Sequence, residues 1–287
     1  MAQQEVASRD TSFGIWTSYL KEKKHRPYIK IAWPDSTANV TIEKNIVYRD
    51  SNERELLLDI YYPQNTNIEH PAVLMIFGGG WRSGDKTHNT AMAIELAKNG
   101  YVAVSAEYRL STEAQYPAAV NDLQNAIRWM RTHAFQYAID TSKIATMGCS
   151  AGGQLAALVG TLYTSNDTKI HAVVNIDGLL AFHHPESAEG AIAAQWLNGT
   201  YEENPKNWEE ASALTHASEN TPPMLFINSS LPRFHSGRDD MIKKLSSYGI
   251  YTEVHTFNDS PHPFWFFNPW FQPTMNYIIN FLQKVFK

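Results

Sequence analysis

Cysteine is nearly absent: Cys149 is the only one in 287 residues. That excludes an intrachain disulfide and any zinc site built on thiolates, and it leaves the redox compartment open. Long apolar runs are missing as well. No stretch approaches the roughly 18 uninterrupted apolar residues of a membrane span, so no membrane partner is expected. Positive charge is scarce: 24 Lys and Arg stand against 29 Asp and Glu. This balance gives no reason to expect nucleic acid. The one compact basic run, Lys21-Glu22-Lys23-Lys24-His25-Arg26, reads as a solvated face. No helix shows paired histidines, and adjacent His183 and His184 cannot share a helix face, so neither a metal nor a cofactor is expected. Met1-Ala2-Gln3-Gln4-Glu5 lacks a basic-then-apolar leader, which fits a cytoplasmic start or a mature exported chain.

The composition is that of a globular chain: 43% of residues are hydrophobic and only 18% charged, enough apolar surface for one sizeable core. Apolar runs of strand length alternate with helical patterns. Val40 to Tyr48 and Glu55 to Tyr62 read as two strands around the turn Arg49-Asp50-Ser51-Asn52. Val73 to Phe77, Tyr101 to Ser105, Lys143 to Met147, His171 to Ile176, Met224 to Asn228 and Tyr251 to Phe257 follow as further strands. Between them, Ala91 to Asn99 is helical and stops at Gly100, and Pro117 is placed as the first residue of a helix. Leu123, Ala126, Ile127 and Met130 give that helix one apolar face. Met275 to Phe286 closes the chain as an amphipathic helix. The alternation predicts an α/β fold with a mostly parallel central sheet and helices on both faces. Residues 1–40 carry Trp16, Tyr19, Tyr28, Ile31 and Trp33, too apolar for a free tail, so an N-terminal arm packed on the domain of residues 41–287 is expected. Residues 181–220 break the strand rhythm and contain Trp196 and Trp208; they read as a small cap insertion over a cleft.

The chemistry centres on Met147-Gly148-Cys149-Ser150-Ala151-Gly152-Gly153. An apolar strand precedes it and a buried helix follows. Gly-x-Ser-x-Gly at such a junction is the nucleophile-elbow pattern. The serine sits on a strained turn, and neighbours two residues away must lack side chains that would clash. The following N–H groups stand at a helix N-terminus, free to hold an anion. Cys149 points away from the cleft and reads as a small buried residue, not as a second nucleophile.

A serine nucleophile needs a base, a group to orient that base and donors for an oxyanion. Of eleven histidines, His262 lies directly after the last strand, between Pro261 and Pro263 that stiffen its loop. Parallel sheets gather their functional groups at the carboxyl ends of strands, which puts His262 within reach of Ser150. Gly78-Gly79-Gly80 ends a buried strand of the same sheet, where backbone N–H groups can approach a substrate closely. The N–H groups of Gly79, Gly80 and Ala151 are the candidate oxyanion donors.

Four blocks occur in order: Phe77-Gly78-Gly79-Gly80-Trp81-Arg82-Ser83-Gly84-Asp85-Lys86, Glu107-Tyr108-Arg109-Leu110, Tyr116-Pro117-Ala118-Ala119-Val120-Asn121-Asp122, and Gly148 to Gly153. Together they resemble the α/β-hydrolase superfamily. They are similar in particular to bacterial carbohydrate esterases of the acetyl xylan, pectin acetyl and feruloyl esterase branch, near the hormone-sensitive-lipase-like enzymes. The resemblance implies an α/β-hydrolase fold and hydrolysis of an ester, commonly an acetyl group on plant cell-wall polysaccharide. It implies an acetylated oligo- or polysaccharide as partner and a secreted or periplasmic location. It says nothing of oligomeric state.

Two departures stand out. Many relatives have histidine where this chain has Phe77, a position that shapes the glycine loop. The family also usually carries its acid just after the strand before last, where this chain reads Asn228-Ser229-Ser230-Leu231-Pro232-Arg233. The candidates are then Asp177, at the tip of the preceding strand, and Asp239, with Asp240 beside it. Ser236-Gly237-Arg238-Asp239 has capping-box spacing, which gives Asp239 a structural task. For the substrate, Trp81, Arg233, His235 and the aromatic run containing Trp265 and Trp270 are candidates, since aromatic faces stack on sugar rings.

Overall fold

The computed structural model describes residues 10, 12–51, 54–162 and 165–287. Eight strands form one sheet: β1 (Val40–Asp50), β2 (Glu55–Pro63), β3 (His70–Ile76), β4 (Val102–Ala106), β5 (Ile139–Cys149), β6 (Ala172–Ile176), β7 (Met224–Asn228) and β8 (Thr252–Thr256). Their order is β1-β2-β4-β3-β5-β6-β7-β8. The pairings β1 with β2 and β2 with β4 are antiparallel, and all the others are parallel.

Alternation along each strand divides the apolar side chains between two cores. On β3, Ala72, Leu74 and Ile76 join one core while Val73 and Met75 join the other. The first core is closed by α3 (Ala118–Thr132), α4 (Ala151–Thr161) and α5 (Arg238–Ser247). The second is closed by α2 (Thr90–Lys98) and α6 (Phe271–Val285). Burial on both faces explains why the central strands read as continuous apolar runs.

Some boundaries differ from the sequence expectation. β5 begins at Ile139, because that residue already pairs with His70 before the register shifts. Pro117 is the residue capping α3 and not its first helical residue. The arm beginning at residue 1 is described at Asp10 and from Ser12 onward; Met1 to Arg9 and Thr11 lie outside the described residues, as does Asn52 of the first turn. Helix α1 (Ile15–Glu22) belongs to this arm. Lys30–Ile31 pairs antiparallel with Phe267–Asn268, and Arg26 Nε donates to the Asp259 carbonyl. Yet Trp16, Tyr28 and Trp33 stay largely exposed, because the arm docks through Phe13 and Ile29 instead. Between β6 and β7 lie three short helices, Ala191–Leu197, Pro205–Glu210 and Ala213–His216. Trp196 and Trp208 are buried among them.

Two of the motif blocks meet in a buried ion cluster. Asp122 on α3 is fully buried and accepts from Arg109 Nε and Nη2, each at 3.0 Å, and from Arg49 Nη1 on β1. A carboxylate so placed depends on those partners, since burying a lone charge is costly. The cluster ties the helix before the nucleophile strand to the antiparallel edge of the sheet.

Candidate active site

Ser150 stands between the end of β5 and the start of α4 with φ 56° and ψ −124°. Such a conformation is strained for a side-chain-bearing residue. The crossing is tight. A Cβ on Gly148 would lie 2.0 Å from the Gly152 carbonyl oxygen, and one on Gly152 would lie 2.1 Å from that of Ile76. The spacing of the motif thus follows from backbone touching backbone.

His262 follows β8 on the loop before α6 and Asp177 follows β6. His262 Nδ1 lies 2.8 Å from Asp177 Oδ2, and His262 Nε2 lies 2.8 Å from Ser150 Oγ. A carboxylate can only accept, so Nδ1 carries the proton and Nε2 is left to accept from the serine hydroxyl. Asp177 is 1% exposed. Its Oδ1 accepts from the Ser229 N–H at 2.8 Å, and its own N–H donates to the Ile227 carbonyl. It has φ 50°, which turns its side chain back over the sheet end. β6 lies beside β5, so Asp177 and the nucleophile leave neighbouring strands.

The candidate oxyanion donors come from two sides. Ala151 is the first residue of α4, where a backbone N–H has no partner within the helix. Gly79 and Gly80 follow β3, and their N–H groups donate to no backbone acceptor among the described residues. Gly79 has φ +133°, and a Cβ there would lie 2.2 Å from the Ser83 carbonyl oxygen. That carbon cannot be accommodated. The loop is pinned by its own far end: Ser83 N–H and Oγ–H both donate to the Gly79 carbonyl. Next along, buried Lys86 reaches Asp59 on β2 at 2.6 Å. Phe77, where many relatives carry histidine, stacks on Tyr108 with centroids 4.4 Å apart, and Tyr108 donates to the Phe77 carbonyl.

These groups line a cleft of about 330 Å³ together with Ser12, Phe13, Leu179, Glu189, Ile192, Arg233 and Phe234. Burial pushes the Glu189 carboxyl up, while Arg233 and His262 pull it down. Burial, reinforced by the charge of Asp177, pushes the Cys149 thiol well up, so this cysteine is held as the neutral thiol.

Several expected site residues stand elsewhere. Trp265 is 2% exposed and does not line the cleft; its ring meets His262 edge-on, with centroids 5.2 Å apart. Trp270 is buried and donates to Asp259 Oδ1. Both belong to the second core, where burying a large aromatic surface against α6 outweighs exposing it to a ligand. The Trp81 indole is likewise buried. It stacks on Trp196 at 5.3 Å and donates to Gln154 Oε1, yet it still lines the cleft beside Gly79 and Gly80. His235 does not line the cleft, whereas Arg233 does.

Asp239 is not brought to His262. It is exposed and accepts from Arg238 Nε at 2.8 Å. Its carboxyl is held low by that bond. Asp240 accepts from His184. The expected capping box is absent as well: Gly237 caps α5, while Ser236 Oγ donates to the Ala181 carbonyl. The sequence reading missed Phe13, Glu189, Ile192 and Phe234. They sit on the arm, on loops and, for Ile192, on the helix Ala191–Leu197, all too short to show periodicity. The one available signal is adjacency, since Phe234 follows Arg233.

Esterase LipC of Mycobacterium tuberculosis is 30% identical over 205 residues, which cover 65% of this chain and 50% of that protein. The chain spans about half the length of the curated relatives that it matches first. Among solved structures, the apo form of Thermogutta terrifontis esterase 2 superposes with TM-score 0.72 at 23% identity, over 89% of this chain and 98% of that one. A truncated carbohydrate esterase from gut microbiota gives TM-score 0.70 at 23% identity, over 88% and 100%. The fold is the α/β-hydrolase fold. The BD-FAE family model matches residues 58–247, from β2 into α5 and across the glycine loop, the elbow and Asp177; the chain belongs to that family.

Proposed function

We propose that the chain is a serine esterase that removes short acyl groups, acetyl above all, from plant cell-wall carbohydrate such as xylan or pectin. The observation that carries this reading is the continuous relay from Ser150 Oγ to His262 Nε2 and from His262 Nδ1 to Asp177 Oδ2, each step 2.8 Å. Ser150 Oγ attacks the acyl carbon and His262 Nε2 takes its proton. Asp177 holds the imidazole in the tautomer that can do so and stabilises the imidazolium that forms. The N–H groups of Gly79, Gly80 and Ala151 receive the negative oxygen of the tetrahedral intermediate. As the ester C–O bond breaks, His262 returns the proton to the leaving alcohol. Water then repeats the sequence on the acyl-serine and releases the acid.

The acyl side supports a short group. A Cβ on Gly80 would already lie 3.3 Å from Ile192 Cγ2, so Ile192 stands close over the glycine loop. Leu179 lines the same cleft. The carbohydrate part of the reading is supported by the motif blocks and by an open cleft that presents Ser12, Arg233 and Glu189. A general short-chain carboxylesterase is the second reading, favoured by the plain esterase name of the mycobacterial relative.

p-Nitrophenyl acetate should be cleaved faster than the butyrate and longer homologues, and Ser150→Ala should be silent. No turnover by the intact protein would remove the esterase reading. Acetate release from acetylated xylan and acetylated pectin then separates the first reading from the second: release from neither favours the general carboxylesterase.

A further inference from the structure

Microscopic geometry fixes which way the leaving alcohol departs. His262 Nε2 must deliver a proton to it, so the alcohol lies on the His262 side of the cleft. On that side a second groove of about 660 Å³ opens, sharing Ser12, Phe13, Arg233, Phe234 and His262 with the catalytic cleft. Its floor and rim come from α1, the segment after it, and the loops that follow β7 and β8.

The charge of this groove runs against that of the molecule. The chain as a whole has a formal net charge of −5. Here Lys21, His25, Arg26 and Arg233 line one depression with a single carboxylate, Glu22. Glu22 is already satisfied by Arg26 Nη1 at 2.8 Å. Lys21 and Arg233 make no ion pair among the described residues. The Arg233 guanidinium lies 4.3 Å over the Phe234 ring, whose other contact is a close stack on His262, with centroids 3.4 Å apart. A cation outside any ion pair, whose charge also acts on Glu189 in the adjoining cleft, is thereby held one ring away from the base. Ser230 and Ser260 line the same groove, their hydroxyls donating to the Ser260 and Phe257 carbonyls.

We infer that this groove is the leaving-alcohol subsite and that it takes a carbohydrate bearing a carboxylate, a uronate, held by Arg233 near the ester and Lys21 farther along. The inference deepens the carbohydrate esterase reading and rests on it for the direction of the alcohol. Guanidinium and ammonium groups without protein partners pair with a carboxylate at little cost, because neither must first leave an internal bond.

The test is calorimetric binding of unesterified trigalacturonate and of neutral xylotriose to the intact chain. Trigalacturonate should bind about tenfold more tightly at about 20 mM NaCl, and the advantage should fade by about 500 mM as screening sets in. The double variant Lys21→Ala/Arg233→Ala should reduce the acidic probe to the affinity of the neutral one. Lys21→Arg/Arg233→Lys should keep the preference, which separates lost charge from lost folding. Equal affinities for the two probes, no detectable binding of trigalacturonate, or an unchanged preference in the double alanine variant would overturn the inference. Because binding is read without turnover, a silent p-nitrophenyl acetate assay would remove the esterase reading while the groove is still measured.

Discussion

Two neighbouring strand ends, those of β6 and β7, offer the same opportunity to a base that must be oriented, and they use it differently. β6 ends in Asp177, whose carboxylate is buried and accepts from both His262 and the Ser229 N–H. β7 ends in Asn228-Ser229, with no carboxylate to offer. Asn228 Oδ1 accepts instead from Arg238 Nη1 at 2.9 Å. The backbone of the β7 end has become a support for the β6 carboxylate. The lesson is that the relay requires an acceptor behind His262 and a donor to steady it: β6, beside β5, supplies the acceptor, and β7, beside β6, supplies the donor.

Substitutions at the two ends should separate sharply. Asp177→Asn keeps the side-chain size but leaves His262 Nδ1–H without its carboxylate, and kcat for p-nitrophenyl acetate should fall ~10⁴-fold. Thermal unfolding of the same variant checks that the fold is retained. At the β7 end, Asn228→Ala should leave kcat within a few-fold and register as stability. Loss of a hydrogen bond to a charged group costs about 1.5–3 kcal/mol, read from denaturant unfolding. A cost at the lower end is expected, because Asn228 Nδ2 is buried without a partner among the described residues.

His235, on the turn after β7, gives a smaller and pH-dependent effect. Burial, then the charge of Arg238, holds its imidazole below the ordinary range. The unfolded chain therefore binds this proton more readily than the folded one. The stability is present above about pH 6.5 and is lost as pH falls below it. His235→Gln should flatten the decline of Tm between about pH 7 and pH 5. Asp239→Asn should do least. The carboxyl is exposed and bonded only to its neighbour Arg238, so stability should move by less than about 0.5 kcal/mol and kcat should be unaffected. A large loss of kcat in this variant would invert the comparison.

The elbow is readable in the sequence because its pattern is local, although only Gly148 is demanded by a nearby backbone, that of Gly152; Gly152 is demanded by the Ile76 carbonyl of β3. His262 is readable from its place after the final strand of the sheet. Choosing between Asp177 and Asp239 needs more, because it depends on strand order and on which end of which connection faces inward. Both are absent from any single segment of sequence. The aromatic run after His262 reads alike whether it faces a ligand or the core, and the structure buries Trp265 and Trp270. Glu189, Ile192 and Phe234 line one cleft only because the segments that follow β6 and β7 converge, and Phe13 arrives from the arm, where its ring meets those of His88 and Phe266. Periodicity cannot report such meetings. Chemistry held by the sheet is legible, whereas the walls that select the substrate are not.

The central claim is that Asp177 is the carboxylate behind the base. The most direct measurement is proton NMR of the His262 Nδ1–H, which a bond to a buried carboxylate shifts far downfield. The account predicts this resonance in the intact protein and in Asp239→Asn, and its loss in Asp177→Asn. A downfield resonance that survives Asp177→Asn and disappears in Asp239→Asn would contradict it.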